Sequence, residues 1–278
     1  FFISRKQVTI KSDICPPSLT PMLLTFDIGN SDITIGCRDN DQWRHVWRVP
    51  SKSSQPELFF GIRIRDHISE AKLDVSQVRT IVLSSVVPAL TDKIKNVIRS
   101  LFHKDAIVLG PALYEHLPIR VLNPYEVGSD LVANAMAAWT RYQRTCIVCD
   151  FGTALTFTTI AGSGEMIGVS IVPGLRTAIK SLSQNTAKLF DVPLEIPKSA
   201  LGTSTITAIQ SGLVLGYDGL VRGVVSSIRA ELKEECPAIA TGGMSFTIES
   251  LKSFFHDINP QLTLEGLLVI GQLAEKKS

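Results

Sequence analysis

The chain has 278 residues, of which 45% are hydrophobic and 19% charged, and its formal net charge is +2. That length supports one large or two modest domains with real cores, and the composition is that of a soluble globular protein, not a disordered one. The small net charge gives no electrostatic case for nucleic acid or a membrane surface as partner. No apolar stretch approaches the roughly 18 residues a membrane span needs.

Residues 1–21 differ in character from the rest of the chain. Pro16, Pro17 and Pro21 interrupt them, and the apolar start at Phe1-Phe2-Ile3 is too short for a secretory signal. Met22 directly precedes the first core strand, so 1–21 are expected to be an N-terminal extension. The run Leu23–Phe26 then ends at a carboxylate, Asp27. After Ile28, Gly29, Asn30, Ser31 and Asp32, alternation resumes through Ile33, Ile35 and Cys37. This predicts strand, tight turn and strand. Gly29 lets the backbone bend and an anion approach its amides. Asn30, Ser31 and Thr34 offer side-chain donors, and Asp27 can hold a cation. Taken alone, an ordinary hairpin with a polar tip explains the stretch as well.

Asp39-Asn40-Asp41 predicts a turn and Trp43–Val49 a third strand. Helical spacing covers Glu57–Ala71, a strand Thr80–Ser85, an amphipathic helix Pro88–Phe102 and a short strand Ala106–Leu109. Pro118–Pro124 reads as an extended connection before a helix over Ser129–Tyr142. Gly128-Ser129-Asp130 opens that helix, where free amides and the helix dipole keep a carboxylate ionised. Ser129 or Asp130 would serve as a plain cap. The alternative is that Asp130 is a general base for a substrate hydroxyl, and its place between two phosphate-type turns favours this.

The second half predicts strands at Thr145–Cys149, Ala154–Ile160 and Glu165–Val172, a turn at Pro173-Gly174 and a helix over Leu175–Ser183. A long helical region at Thr205–Glu235 is expected to break near Gly216–Gly223, its glycines favouring close helix packing. A glycine turn, Thr241-Gly242-Gly243-Met244, comes after the apolar run Pro237–Ala240, and Leu267–Lys276 closes the chain. Cys146 and Cys149 form a C-x-x-C pair inside a predicted strand, where positions three apart point to opposite faces; burial is the expectation, not metal. The five cysteines (Cys15, Cys37, Cys146, Cys149, Cys236) are scattered and odd in number, which argues against a disulfide framework and fits a reducing cytoplasm.

Ile147–Thr159 repeats the opening device: an apolar run, Asp150, any residue, Gly152, then the hydroxyl Thr153 and another apolar stretch. Each half carries one copy, which suggests duplicated domains facing each other across a cleft. With Gly242 and Gly243, three such turns occur in order.

The series Asp-Ile-Gly-Asn-Ser, Asn-Pro-x-Glu-Val-Gly-x-Asp, Asp-Phe-Gly-Thr-Ala-x-Thr, Pro-Gly-Leu, Thr-Ala-Lys-Leu, Gln-Ser-Gly, Ala-Thr-Gly-Gly and Leu-Thr-Leu-Glu-Gly-Leu resembles type III pantothenate kinase from Met22 onward. The resemblance implies an α/β fold of the actin, heat-shock chaperone and sugar kinase superfamily. It would have two duplicated actin-like ATPase (ribonuclease H-like) domains around a central nucleotide cleft, residues 22–143 and 144–278. It implies ATP-dependent phosphorylation of pantothenate to 4′-phosphopantothenate, the first step of coenzyme A biosynthesis, in a cytoplasmic homodimer using Mg2+ and a monovalent cation, K+ or NH4+. By position, Asp27, Ile28, Gly29, Asn30, Ser31, Asp32, Ile33 and Thr34 would form the first phosphate segment, with Asp27 near magnesium. Thr153 would touch the ATP phosphates, and Gly242 and Gly243 the adenosine. Asp130 would be the proton acceptor. Gly128, Ser129, Asp130 and Leu131 would line the pantothenate site, Thr186 would contact pantothenate across the dimer, and Asp150 would hold the monovalent cation.

Two positions depart from the family pattern. Leu131 stands where an Arg usually comes after the catalytic Asp, and Val121 where many relatives have Tyr. Losing a guanidinium removes a charge-assisted contact of about 1.5–3 kcal/mol. A nucleotide-binding regulatory relative, or a kinase for another small hydroxylated acid, is therefore the competing expectation.

Overall fold

A computed structural model describes residues 22–39, 42–245 and 247–276. The expected extension 1–21, and Asn40 and Asp41 of the expected turn, lie outside the described residues. The elements are β1 (Met22–Ile28), β2 (Asp32–Asp39), β3 (Gln42–Pro50), α1 (Glu57–Glu70), β4 (Val78–Ser85), α2 (Pro88–Phe102), β5 (Ile107–Val108), α3 (Pro111–Tyr114) and α4 (Ser129–Tyr142). The second half contributes β6 (Cys146–Phe151), β7 (Ala154–Ile160), β8 (Met166–Pro173), α5 (Leu175–Asn185), α6 (Thr205–Leu232), β9 (Ala238–Thr241), α7 (Glu249–Lys252), β10 (Asp257–Ile258) and α8 (Leu262–Glu275).

The strands form two five-stranded sheets ordered β3-β2-β1-β4-β5 and β8-β7-β6-β9-β10. In each, the first three strands are antiparallel and the last two join in parallel. The duplication expected from the repeated turn is thus a duplication of topology. Central strands β1 and β6 read as apolar runs because helices cover both faces of each sheet. From β1, Leu24, Phe26 and Ile28 enter an outer core with α1 and α2, while Leu23 enters an inner one. From β6, Cys149 joins the outer core and Cys146 the inner. The C-x-x-C pair is split across two faces of one strand, and burial pushes both thiols above their ordinary range. Neither the spacing nor the protonation state suits a metal.

α2 places Leu90, Ile94, Val97 and Ile98 on one buried stripe, with Pro88 at its start. α6 runs unbroken from Thr205 to Leu232, contrary to the expected interruption. A capping box between Ser204 and Thr207 starts it, and Val214, Tyr217, Val221 and Val225 bind it to the second outer core at helical spacing. Glycines weaken a helix by about 1 kcal/mol each, but unlike proline they do not break its ladder. Nor do they pack against another helix among the described residues: a Cβ at Gly212, Gly216, Gly219 or Gly223 would meet nothing within 4 Å there.

The inner core is a helix pair wedged between the sheets. α4, from the first half, lies chiefly against β6 and β7 of the second sheet, and α8, from the second half, packs on β1 and β4 of the first. The two helices cross closely, because Gly266 leaves no side chain between α8 and the Ala133 carbonyl of α4. Each half therefore lends one helix to the other, and this crossing fixes the start of α4 between the two hairpin turns.

Candidate active site

Both repeated turns open onto one cleft of about 280 Å3, which is also lined by the start of α4, the Gly242-Gly243 turn, the start of α5 and the first turn of α8. The hairpin tips meet there: the hydroxyls of Ser31 and Thr153 lie 2.8 Å apart. The α5 start is clamped to the second tip, since Thr177 Oγ1 donates to the Thr153 carbonyl at 2.6 Å and Gly174 N donates to the same oxygen at 2.9 Å. Gly29 N donates to Asp32 O and Gly152 N to Ala154 O, each at 3.0 Å. The glycine amides expected to face an anion are therefore engaged in closing the turns. The hydroxyls of Ser31, Thr34 and Thr153 and the side chain of Asn30 are the donors left on the cleft wall.

Three carboxylates converge on the cleft floor. Asp27 is the penultimate residue of β1, and its Oδ1 is buried without a partner. Burial first, then the charges of Asp130 and Asp150, push its pKa up to about 8, against a hydrogen bond from Ser84 and the field of Arg48. Asp150 is the penultimate residue of β6. Burial and then Asp130 raise its pKa to about 6, opposed by a hydrogen bond from Asn134. Asn134 Nδ2 donates to Asp150 Oδ2 at 2.8 Å, and Thr263 Oγ1 donates to Asn134 Oδ1 at 2.8 Å. The threonine thereby fixes which way the fully buried amide faces. The other oxygen, Asp150 Oδ1, faces Gly242, whose φ of +89° and lack of Cβ keep it clear; a Cβ would come within 2.5 Å of that oxygen.

Asp130 is the second residue of α4, one helical turn before Asn134 on the same face, and burial raises its pKa as well. The capping alternative is not what forms. Gly128 is the N-cap and makes no side-chain cap bond. Ser129 is tied to β4, 2.9 Å from Ser84 Oγ and 3.0 Å from Ser85 N. Asp130 Oδ1 accepts the adjacent Leu131 N–H at 2.8 Å, and the side chain lines the cleft.

Of the residues singled out from sequence, Asp27, Gly29, Asn30, Ser31, Asp32, Thr34, Asp130, Asp150, Thr153, Gly242 and Gly243 share this cleft. Ile28 and Ile33 do not: both side chains are fully buried in the outer core, on the far face of the sheet. Leu131 is buried at 7% exposure, and Val121 packs on the inner core. Thr186 ends α5 away from the cleft, with its hydroxyl donating to Leu182 O at 2.8 Å. Sequence reasoning missed Arg48, Asn134, Thr263 and Thr177. Asn134 had one readable signal: it lies four residues after Asp130 in a stretch, Leu131–Ala138, otherwise built of small and apolar residues.

A cation fits this floor. Asp27 offers an orphaned buried oxygen, while among the described residues no three His, Cys, Asp or Glu side chains close into a cage. That donor set suits magnesium, which is held by one or two carboxylates plus substrate phosphates.

A family model described as type III pantothenate kinase matches residues 23–227. Over 90% of its length the chain is 38% identical to the type III pantothenate kinase of Treponema pallidum (strain Nichols), covering 94% of that protein. It is 36% identical to that of Anaeromyxobacter sp. (strain K), covering 99%. Among solved structures, MreB 5 of Spiroplasma citri bound to AMPPNP aligns with a TM-score of 0.53 at 10% identity, over 93% of this chain and 98% of that one. At that identity the likeness shows the fold alone, an actin-like ATPase architecture.

Proposed function

The chain belongs to the type III pantothenate kinase family, and from that membership and the cleft geometry we propose that it transfers the γ-phosphoryl group of ATP to the hydroxyl of pantothenate. The product is 4′-phosphopantothenate, which feeds coenzyme A synthesis. The observation that carries this reading is the placement of Asp130 at a helix start between two touching phosphate-type turns.

Catalysis here is mostly positioning. The Ser31 and Thr153 hydroxyls bind phosphate oxygens at the meeting of the hairpin tips, and Thr177 holds the second tip in place. Asp130 accepts the hydroxyl proton, and its low-dielectric setting strengthens it as a base. Asp27 would hold magnesium through its orphaned Oδ1. That metal supplies charge neutralisation for the phosphoryl in transit. Asp150 would hold a monovalent cation, its Oδ2 fixed by Asn134 and its Oδ1 turned to the Gly242 side.

The protein is read as a homodimer. Thr186 lies off its own cleft, so its contact with pantothenate would be made in the second subunit. Next to it an apolar depression is lined by Leu182, Leu189, Ile209 and Leu213, with the open glycine face of α6 alongside. Light scattering at micromolar concentration tests this; a monomer there would remove the contact in trans.

The buried Leu131 and the apolar Val121 favour a second reading, a kinase for another small hydroxylated acid. ADP release from ATP, Mg2+ and K+, with and without pantothenate, separates the two. Pantothenate-dependent release supports the first. ATP binding without it supports the second.

A further inference from the structure

We propose that Arg48 is the cationic clamp on the polyphosphate chain of the nucleotide, reaching from the first sheet to the nucleotide turn of the second. This rests on the kinase reading of the cleft. The register of the first sheet carries the argument: Asp27 pairs with Thr34, and Thr34 with Arg48, across β1, β2 and β3. Cross-strand neighbours share a face, so the carboxylate, the hydroxyl and the guanidinium stand in a row on the cleft side, and all three line the cleft. The neighbouring residues of β3 turn the other way. Val49 is buried in the outer core, and Trp47 stacks between His45 and His67.

At the end of that row the guanidinium crosses to the other half of the protein. A Cβ at Gly243 would lie 3.0 Å from Arg48 Nη1 and 3.4 Å from Nη2. Gly243 thus keeps open the place where the arginine fork reaches the Gly242-Gly243 turn. The charge balance of the cleft runs against an anionic ligand. Asp27, Asp32, Asp130 and Asp150 line the cleft against two cations, Arg48 and Arg176. Arg48 acts on Asp27 only through its field, and among the described residues it forms no ion pair within 4 Å. A polyanion entering this acidic cleft needs a cation that is not already neutralised, and a planar guanidinium matches phosphate oxygens two at a time. Arg176 stands at the start of α5, which is bonded to the Thr153 tip, whereas Arg48 lies beside both the Asp27 row and the nucleotide turn.

The test is calorimetric titration of ATP, ADP and AMP, each with Mg2+, into wild type, Arg48→Gln and Arg48→Lys, with melting curves to check folding. Arg48 is an exposed side chain, so all three proteins are expected to melt alike. Arg48→Gln should weaken ATP by about 10- to 100-fold, ADP by less and AMP by under about twofold, and Arg48→Lys should recover part of the loss. Equal weakening of all three nucleotides would show a contact to the adenosine or a structural role and overturn the proposal. So would unchanged ATP binding in Arg48→Gln. Because binding is read without pantothenate, a protein that keeps the ATP–AMP contrast but fails to turn over pantothenate would refute the substrate and leave the clamp standing.

Discussion

The two hairpins repeat one sequence device and give it different surroundings. Asp27 and Asp150 are the penultimate residues of equivalent strands in equivalent sheets, and both feel the charge of Asp130. Yet Asp27 keeps an unpartnered buried oxygen, while Asp150 is held by an amide that a threonine from α8 locks in place. Burial leads in raising both pKa values, to about 8 and about 6, and Asp27 carries the charge of Asp150 in addition to that of Asp130. A carboxylate left unsatisfied suits a small divalent ion that must also share phosphate oxygens. A carboxylate fixed at one oxygen presents the other as a rigid ligand, which suits a larger and more weakly held cation.

Removing their shared neighbour tests both at once. Asp130→Asn should lower turnover by about 100- to 10,000-fold while Mg-ATP affinity stays within about threefold. It should also lower the pKa of Asp27 and Asp150, since the charge of Asp130 raises both. Turnover within a few-fold of wild type would withdraw the base assignment.

The next effect is on stability against pH. A carboxylate whose folded pKa is raised binds its proton more tightly in the folded state, so the metal-free protein loses stability as pH climbs from about 4 towards the folded value. For Asp27 that window extends to about 8, and for Asp150 only to about 6. Asp27→Asn should therefore raise the metal-free melting temperature at pH 8, with a benefit of up to roughly 5 kcal/mol that vanishes near pH 4. Asp150→Asn should gain less, because it also disturbs the Asn134 hydrogen bond. Melting curves from pH 5 to 8.5 with chelator read both, and equal gains would erase the distinction.

The smallest effects concern the anchor. Thr263→Val frees the Asn134 amide to turn over and should raise the K+ concentration for half-maximal activity by about 3- to 10-fold, from the loss of one neutral hydrogen bond. The Mg2+ requirement should stay unchanged. A shift in Mg2+ with none in K+ would reverse the roles given to the two carboxylates.

Local pattern made much of this readable. Runs ending in Asp-x-Gly announced both hairpins, and α2 and α4 were bounded by Pro88 and by Gly128-Ser129 as their sequences suggest. Positions decided by partners were not readable. Ile28 and Ile33 sit inside the phosphate-type motif, but strand alternation sends their side chains to the outer core. Gly29 and Gly152 looked like anion-facing amides until turn closure engaged them. The glycines of α6 suggested a break because the apolar stripe that holds the helix down is legible only once the sheet beneath it is known. Arg48, Asn134 and Thr263 become site residues through cross-strand register and helix crossing, which no short window of sequence displays.

The exchange of helices between the halves also has a consequence for how the chain is made. The inner face of the first sheet, on β1 and β4, is covered by α8. During synthesis that face waits for residues 262–275 while more than two hundred residues of chain are laid down after β1. The first half thus begins folding first and is finished among the last, a long-range closure expected to be slow. A nascent chain paused before residue 262 should carry a sheet with one apolar side bare, the kind of surface on which a holding chaperone acts.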